Sequence, residues 1–427
     1  MKRILLLLTL VLPAITAFPQ LYVGAELRPR LLVENGYGLP KPREDPALAY
    51  ITQRTRLNLD FRQGLFETYI SVQDVRFWGG DNNYQAGGSY GQSGSLSLHQ
   101  GWFLVKPLPW LSLKAGRQVF NYDDQRILSS RPWNDYQVTY DALFVKAEYE
   151  GHRMDLGLSW NAESSGDFYL PQQKFKTLDF FRYEWSTERV TWSAIALITG
   201  NTLSDTTDQV WFRGTWGTNF SFETPGIRIR TSLYYQHHLN DYGGKVSAWI
   251  GSFRAGVPLI PEKLICSAGL DYVSGQHETG TSEAYNGTSH SFDQLYGLRH
   301  GFYGYIDYFS NMPAQGLQDY MILAEYTPAS RWTLQADLHF FWLAARMEDP
   351  GQPGAALPKR LGDELDLTLK CKINDQAAVQ AGYSFFLTQP TLVVIKGLEG
   401  EALKFPQFAY LMITIKPGFT FGNPDMD

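Results

Sequence analysis

The chain has 427 residues, a formal net charge of −6 and 19% charged residues, a length that in a soluble protein would divide into two or three domains. The mild acidity argues against a nucleic-acid partner, which needs a basic surface, and a mean hydropathy of −0.26 excludes a bundle of membrane helices. It does not exclude a transmembrane barrel, where only alternate residues face lipid, and 25 Tyr, 26 Phe and 12 Trp are many for a soluble chain.

The first element is a secretory leader over residues 1–17. Lys2 and Arg3 form its charged start, Ile4–Leu12 its apolar core, and Pro13 breaks it before Ala17, the expected cleavage residue. The apolar run is too short to cross a bilayer. One domain, residues 18–427, is expected after it. Cys266 and Cys371 fall in different predicted strands and read as two separate thiols.

Period-two alternation then runs through most of the chain. In Ile51–Arg62, Ile51, Leu57, Leu59 and Phe61 share one face, and Thr52, Arg54, Arg56, Asn58, Asp60 and Arg62 the other. Met154–Trp160, Ile227–Tyr235, Arg331–Leu343 and Glu364–Ile373 repeat the pattern. Runs of about ten to thirteen residues suit a strand crossing a bilayer at a tilt, whereas strands of soluble proteins average about five or six. Trp102, Trp110, Trp160, Tyr169, Trp332 and Trp342 lie near strand ends, where interfacial aromatic belts belong.

The connections alternate in length. Long ones fall near 34–50, 78–94, 121–135, 163–178, 200–207, 238–243, 275–318, 344–360 and 389–404, with short turns between them. Long loops outside the cell and short periplasmic turns are the pattern of a single-chain barrel. The expected fold is therefore all-β: one transmembrane antiparallel β-barrel of about eighteen strands in the outer membrane of a Gram-negative-type cell, with both termini periplasmic. Arg299–Ser310 also reads as strand-like, but a nineteenth strand would break the rhythm. It is placed inside the 275–318 excursion, folded over or into the barrel.

A barrel of this size leaves a water-filled interior, so inward residues set its function. Parity sends Arg28, Arg30, Arg54, Arg56, Lys114, Arg153, Arg182, Arg213, Arg228 and Arg230 inward, among other cations. A row of guanidinium groups offers a carboxylate successive weak sites, which is how a pore passes anions. Arg54, Arg56, Arg228 and Arg230 are candidates on this ground. The same parity turns Glu26, Asp155, Glu184, Asp271, Asp337, Glu364 and Asp366 inward, so a self-neutralising ion-pair network is the competing use of these arginines.

The densest cluster of charge and aromatic rings is Asn121–Asp135. It holds Tyr122, Asp123, Asp124-Gln125-Arg126 and Ser130-Arg131-Pro132-Trp133, with Gly116-Arg117-Gln118 before it and Tyr140-Asp141-Ala142 after it. With His300–Phe309, Gly362–Leu367 and Gln380–Ser384, this set resembles the alginate export family of outer-membrane barrels. The resemblance implies a channel that passes the anionic polysaccharide alginate through a basic constriction. It implies pore-lining roles for Arg117, Asp123, Arg126, Arg131, Trp133 and Asp141, and no catalytic residue. Leu111 and Leu113 set an alternation that points Arg117 outward, so an inward Arg117 requires a bulge at Gly116. The partners expected are outer-membrane lipid, an anionic oligo- or polysaccharide and, for an export role, periplasmic export machinery.

Two other classes stay open. A barrel enzyme, a protease or lipase, would need paired acids or a Ser/His pair at one rim, and Asp123 with Asp124 near Arg126 is the tempting cluster. A secreted carbohydrate-binding β protein would also alternate. No cofactor is implied, and the spacing of the histidines, His237-His238, His99 and His339 included, supports no metal ligand set.

Overall fold

Inward polar and outward apolar side chains alternate along eighteen strands, and that single pattern builds the molecule. The computed structural model describes residues 19–79, 96–162, 175–202, 209–398 and 402–422. The leader, most of the loop at 78–94 and Tyr169 lie outside them. The strands are β1 (Gln20–Asn35), β2 (Leu48–Gln63), β3 (Phe66–Phe77), β4 (Ser97–Leu108), β5 (Leu111–Gln118), β6 (Tyr140–Tyr149), β7 (His152–Trp160), β8 (Thr177–Ser186) and β9 (Val190–Thr202). They continue with β10 (Val210–Glu223), β11 (Arg228–Leu239), β12 (Lys245–Ile260), β13 (Leu264–Val273), β14 (Leu317–Ala329), β15 (Trp332–Trp342), β16 (Arg360–Asn374) and β17 (Ala377–Thr388). The last, β18, runs over Gln407–Ile415 and Gly418–Phe421, interrupted at Lys416-Pro417.

Each strand pairs antiparallel with the next, and β18 returns to β1 with Leu32 opposite Tyr410 and Val23 opposite Phe419. Closure leaves no free sheet edge. Strand β14 pairs directly with β13 (Val273 opposite Leu317), so the excursion between them adds no membrane strand. Arg299–Ser310 is a succession of turns within it, not a strand.

The outer surface is an apolar belt. Leu57, Ile70, Leu143, Leu158, Leu233, Ile322 and Leu367 project from it. Trp110, Tyr149 and Trp332 ring the short-turn end, and Phe77, Trp160 and Phe212 the long-loop end, as a bilayer with two interfaces requires. This belt and the closed barrel make the chain an outer-membrane protein. Cys266 and Cys371 are free thiols and sit on the outward parity of β13 and β16. Among the described residues no helix is long and apolar enough to cross a membrane.

Two readings of side-chain direction are corrected. Trp102 faces the lumen, opposite and stacked on Tyr69 at 5.5 Å, because a register shift in the β3–β4 pair at Ser71/Val72 resets parity along β4. Arg117 and Asp141 face outward, where they pair with each other at 2.7 Å, both well exposed. The register of β5 with β4 and β6 is unbroken through Gly116, so no bulge turns Arg117 inward. Gly116, at φ 122°, answers a different need: a Cβ there would overlap the Gly101 carbonyl oxygen of β4.

Candidate functional site

Two long connections, 119–139 and 274–316, turn into the barrel and cross it. Each is held to the other along its backbone. Leu128 and Tyr296 form a parallel bridge, Ser129 N donates to Tyr296 O at 3.1 Å, and Leu298 N donates to Gln125 O at 2.8 Å. The Arg131 guanidinium closes the seam by donating to Gly297 O at 2.8 Å and Leu295 O at 2.9 Å. Non-glycine residues with positive φ concentrate here: Asp123, Gln125, Arg131 and Gln137 in the first loop, and Leu295, Tyr303 and Asp307 in the second. Such conformations persist where surroundings over-determine them. The pair of loops is a built insert.

Charged residues dock the insert on the wall. Asp123 accepts from Arg182 of β8 at 2.6 Å and from Ser193 of β9 at 2.5 Å. Asp124 accepts from Ser232 at 2.6 Å and Tyr234 at 2.7 Å, both of β11. Arg126 is fully enclosed: it donates to Asp271 at 2.6 Å, Ser252 at 3.1 Å and Tyr303 Oη at 2.8 Å, and its plane lies 4.0 Å from the centre of the Phe302 ring. On β16, Glu364 accepts from Ile306 N at 2.7 Å and Asp366 from Tyr305 N at 3.2 Å. On β1 and β2, Arg28, Arg30 and Arg54 hold residues 132–135. Trp133 stacks on His300 at 3.8 Å and carries Arg30 on its ring at 4.2 Å.

Apolar packing completes the partition. Phe120, Tyr122 and Phe180 form one aromatic cluster, and Phe309, Phe341 and Phe386 another. The wall makes room for these rings with glycine. A Cβ at Gly157, Gly217, Gly362 or Gly382 would overlap Phe180, Tyr234, Phe386 or Tyr410 respectively. Each of those rings touches the insert: Phe180 meets Phe120, Tyr234 bonds Asp124, Phe386 meets Tyr308, and Tyr410 meets Trp133.

Of the candidates named from sequence, Asp123, Arg126, Arg131 and Trp133 thus lie in the insert, and their side chains bind protein groups. Arg54 pairs with Glu26, and Arg56 donates to Gln73 at 2.8 Å. Arg228 pairs with Glu223 at 2.7 Å near a short turn. Arg230 is exposed to the lumen. Arg117 and Asp141 are not part of the site. Asp135, Arg182, Arg254, His300 and Phe302 are; the sequence turned Arg182 inward by parity and set Asp135, His300 and Phe302 within stretches quoted for the resemblance, but gave none of them a site role and carried no signal for Arg254.

Beneath the insert, on the short-turn side, lies a cavity of about 550 Å³. Its lining includes Arg230, Arg254, Phe220, Phe302, Asn219 and Ser221. Asp123 and Asp124 also border it, already engaged by the wall hydroxyls and arginines described above. Among the described residues no carboxylate forms an ion pair with Arg230, and that of Arg254 with Asp271 is long, at 3.6 Å.

No protein-family model matches the sequence, and no curated protein matches it. Solved structures do match its fold. OccK11 (OpdR) of Pseudomonas aeruginosa is 12% identical, with 93% of this chain and 96% of that one covered at a TM-score of 0.58. OpdK of the same organism, solved with vanillate, is 10% identical over 93% and 99% at 0.59. OccAB4 of Acinetobacter baumannii is 8% identical over 95% and 99% at 0.61. At such identities the likeness is one of architecture: this chain shares their fold, a single closed antiparallel β-barrel.

Proposed function

We propose that the protein is a passive channel for small organic anions, with uronates, sugars that carry one carboxylate, as its substrate class. The observation that carries this reading is the cavity beneath the insert. Arg230 and Arg254 supply charge for a carboxylate, Asn219 and Ser221 supply hydrogen bonds for hydroxyls, and Phe302 supplies an apolar face. Weak, repeated contacts of this kind allow release as well as entry. OpdK, which shares the fold, was solved with vanillate, itself an aromatic carboxylate. The alginate expected from the family resemblance fits this reading as single uronate units. A polymer needs a lumen open along its length, whereas here two loops cross it and pack aromatic side chains against the wall.

The reading assigns no chemical step to the chain. Asp123 and Asp124, the pair an enzyme would have used, are acceptors for wall hydroxyls and arginines. The test is single-channel recording in planar bilayers under a salt gradient, with glucuronate and uronate oligomers added. Anion selectivity with glucuronate block is expected. Cation selectivity, or no block, overturns the substrate class and leaves the barrel as described.

A further inference from the structure

We propose that residues 132–136 form a flap that a carboxylate solute displaces. Asp135 pins it shut by sitting, as an internal anion, in a site made by Arg28 and Arg30, and an organic carboxylate takes that site in its place. The inference rests on the anion-channel reading for the identity of the solute.

Both oxygens of Asp135 are engaged, Oδ1 by Arg28 at 2.6 Å and Oδ2 by Arg30 at 3.0 Å. The same two guanidinium groups bond the carbonyls of Pro132 at 2.8 Å and Trp133 at 2.9 Å. This is the two-pronged geometry with which arginines take any carboxylate. The corner also has cations to spare. Arg28, Arg30, Arg54 and Arg56 are all buried there, against the carboxylates of Glu26 and Asp135. The Nε atoms of Arg28 and Arg30 are buried and, among the described residues, have no hydrogen-bond partner, although each guanidinium has donors beyond those in use.

The segment is also built to lift. Pro132, Asn134 and Tyr136 are exposed, the Asp135 side chain turns to the wall, and Trp133 alone is clasped, between Arg30 and His300. Its neck is one backbone bond, Val138 N to Ser130 O at 2.9 Å. Arg131 and Gln137, at either end, hold φ of 51° and 63°, a left-handed conformation that side-chain-bearing residues adopt at a cost. Lifting the flap parts Trp133 from His300, breaks the bonds of Arg54 and Gln73 to the carbonyls of Asn134 and Tyr136, and frees Arg28 and Arg30 together.

The experiment uses the refolded full chain in planar bilayers, comparing wild type, Asp135→Asn and Asp135→Glu. With its internal anion gone, Asp135→Asn is expected to raise the anion-to-cation permeability ratio at least threefold and lower the half-blocking glucuronate concentration about tenfold. Asp135→Glu is expected to keep wild-type values. An Asp135→Asn barrel with wild-type heat-modifiable gel migration and unchanged ratio overturns the proposal. Should that variant not assemble, hydrogen exchange of the native 130–138 peptide decides: faster exchange with glucuronate but not with glucose supports the flap, and equal exchange overturns it. A wild type that is anion-selective and glucuronate-blocked, with unchanged exchange, loses the flap and keeps the substrate class. A cation-selective wild type loses the substrate class, and the permeability ratio of Asp135→Asn still reports on the flap.

Discussion

Arg126 sits where both inward loops meet the wall, and its partners make it costly to remove. Truncating it strands Asp271, which is fully buried, and breaking such a pair costs about 3–5 kcal/mol. Arg126→Ala is therefore expected to lower the temperature of heat-modifiable gel migration sharply, and Arg126→Met with Asp271→Leu to recover most of the loss. Lys396 gives a pH-dependent counterpart. It lies just past the helix Pro390–Ile395, donates to the Tyr308 carbonyl, and is pushed down to about 8 by burial. A lysine whose folded value lies below its unfolded one binds fewer protons when folded, so stability rises with pH from about 8 to about 10.4, the ordinary lysine value. Thermal unfolding in detergent should show that rise, and Lys396→Met should flatten it. Asp135 behaves oppositely. Burial would raise its carboxyl, but Arg30 and Arg28 overcome this and hold it below its ordinary value. Its contribution is thus present above an aspartate's usual pKa and lost only in strong acid. Arg117 shows where residue-level reading fails. The alternation of Leu111 and Leu113 pointed it outward correctly, and the motif resemblance pointed it inward. Alternation prevailed because Gly116 permits a close backbone approach without inserting a residue.

At the scale of elements, strands and turns were legible because their causes are local. Period two decides which face a residue takes, and turn length decides on which side of the membrane a connection lies. The insert was legible only as an unusual density of charge in 121–135. Its bonds run over great sequence distances, 104 residues from Arg28 to Pro132 and 177 from Arg126 to Tyr303, and no local pattern encodes such partners. The glycine seats were equally hidden, since a strand glycine ordinarily marks a bulge or a close approach without saying what approaches. Gly217 tests their role. It lies opposite Tyr234, whose hydroxyl reaches Asp124 because the ring lies flat over the wall. Gly217→Val is expected to push the ring away and loosen Asp124, which keeps Ser232 and Arg126. Recordings should then show more frequent transitions between conductance levels, whereas Gly226→Ala, where a Cβ meets nothing within 4 Å, should record as wild type.

For the whole molecule, the proposed channel takes its limit on solute size from the insert and its charge preference from the wall. Glucuronate is expected to block briefly, with dwell times that shorten as voltage rises, because a small solute is driven through. A long uronate oligomer should block for times that lengthen with voltage, because it is driven in and cannot follow. The insert also ties distant parts of the chain together. It is held by β1 and β2 through Arg28, Arg30 and Arg54, by β8 through Arg182, by β13 through Asp271, by β16 through Glu364 and by β18 through Tyr410. Those strands come together only when the first strand has met the last. An insert with anchors on the first and last strands would therefore seat, like a keystone, only once the barrel has closed. A chain stalled before closure would present 119–139 as loose peptide to periplasmic proteases, while a completed barrel hides it. Cleavage between Leu128 and Trp133 would mark unfinished molecules for removal, a form of quality control written into the same residues that bind the two loops to each other and to the wall.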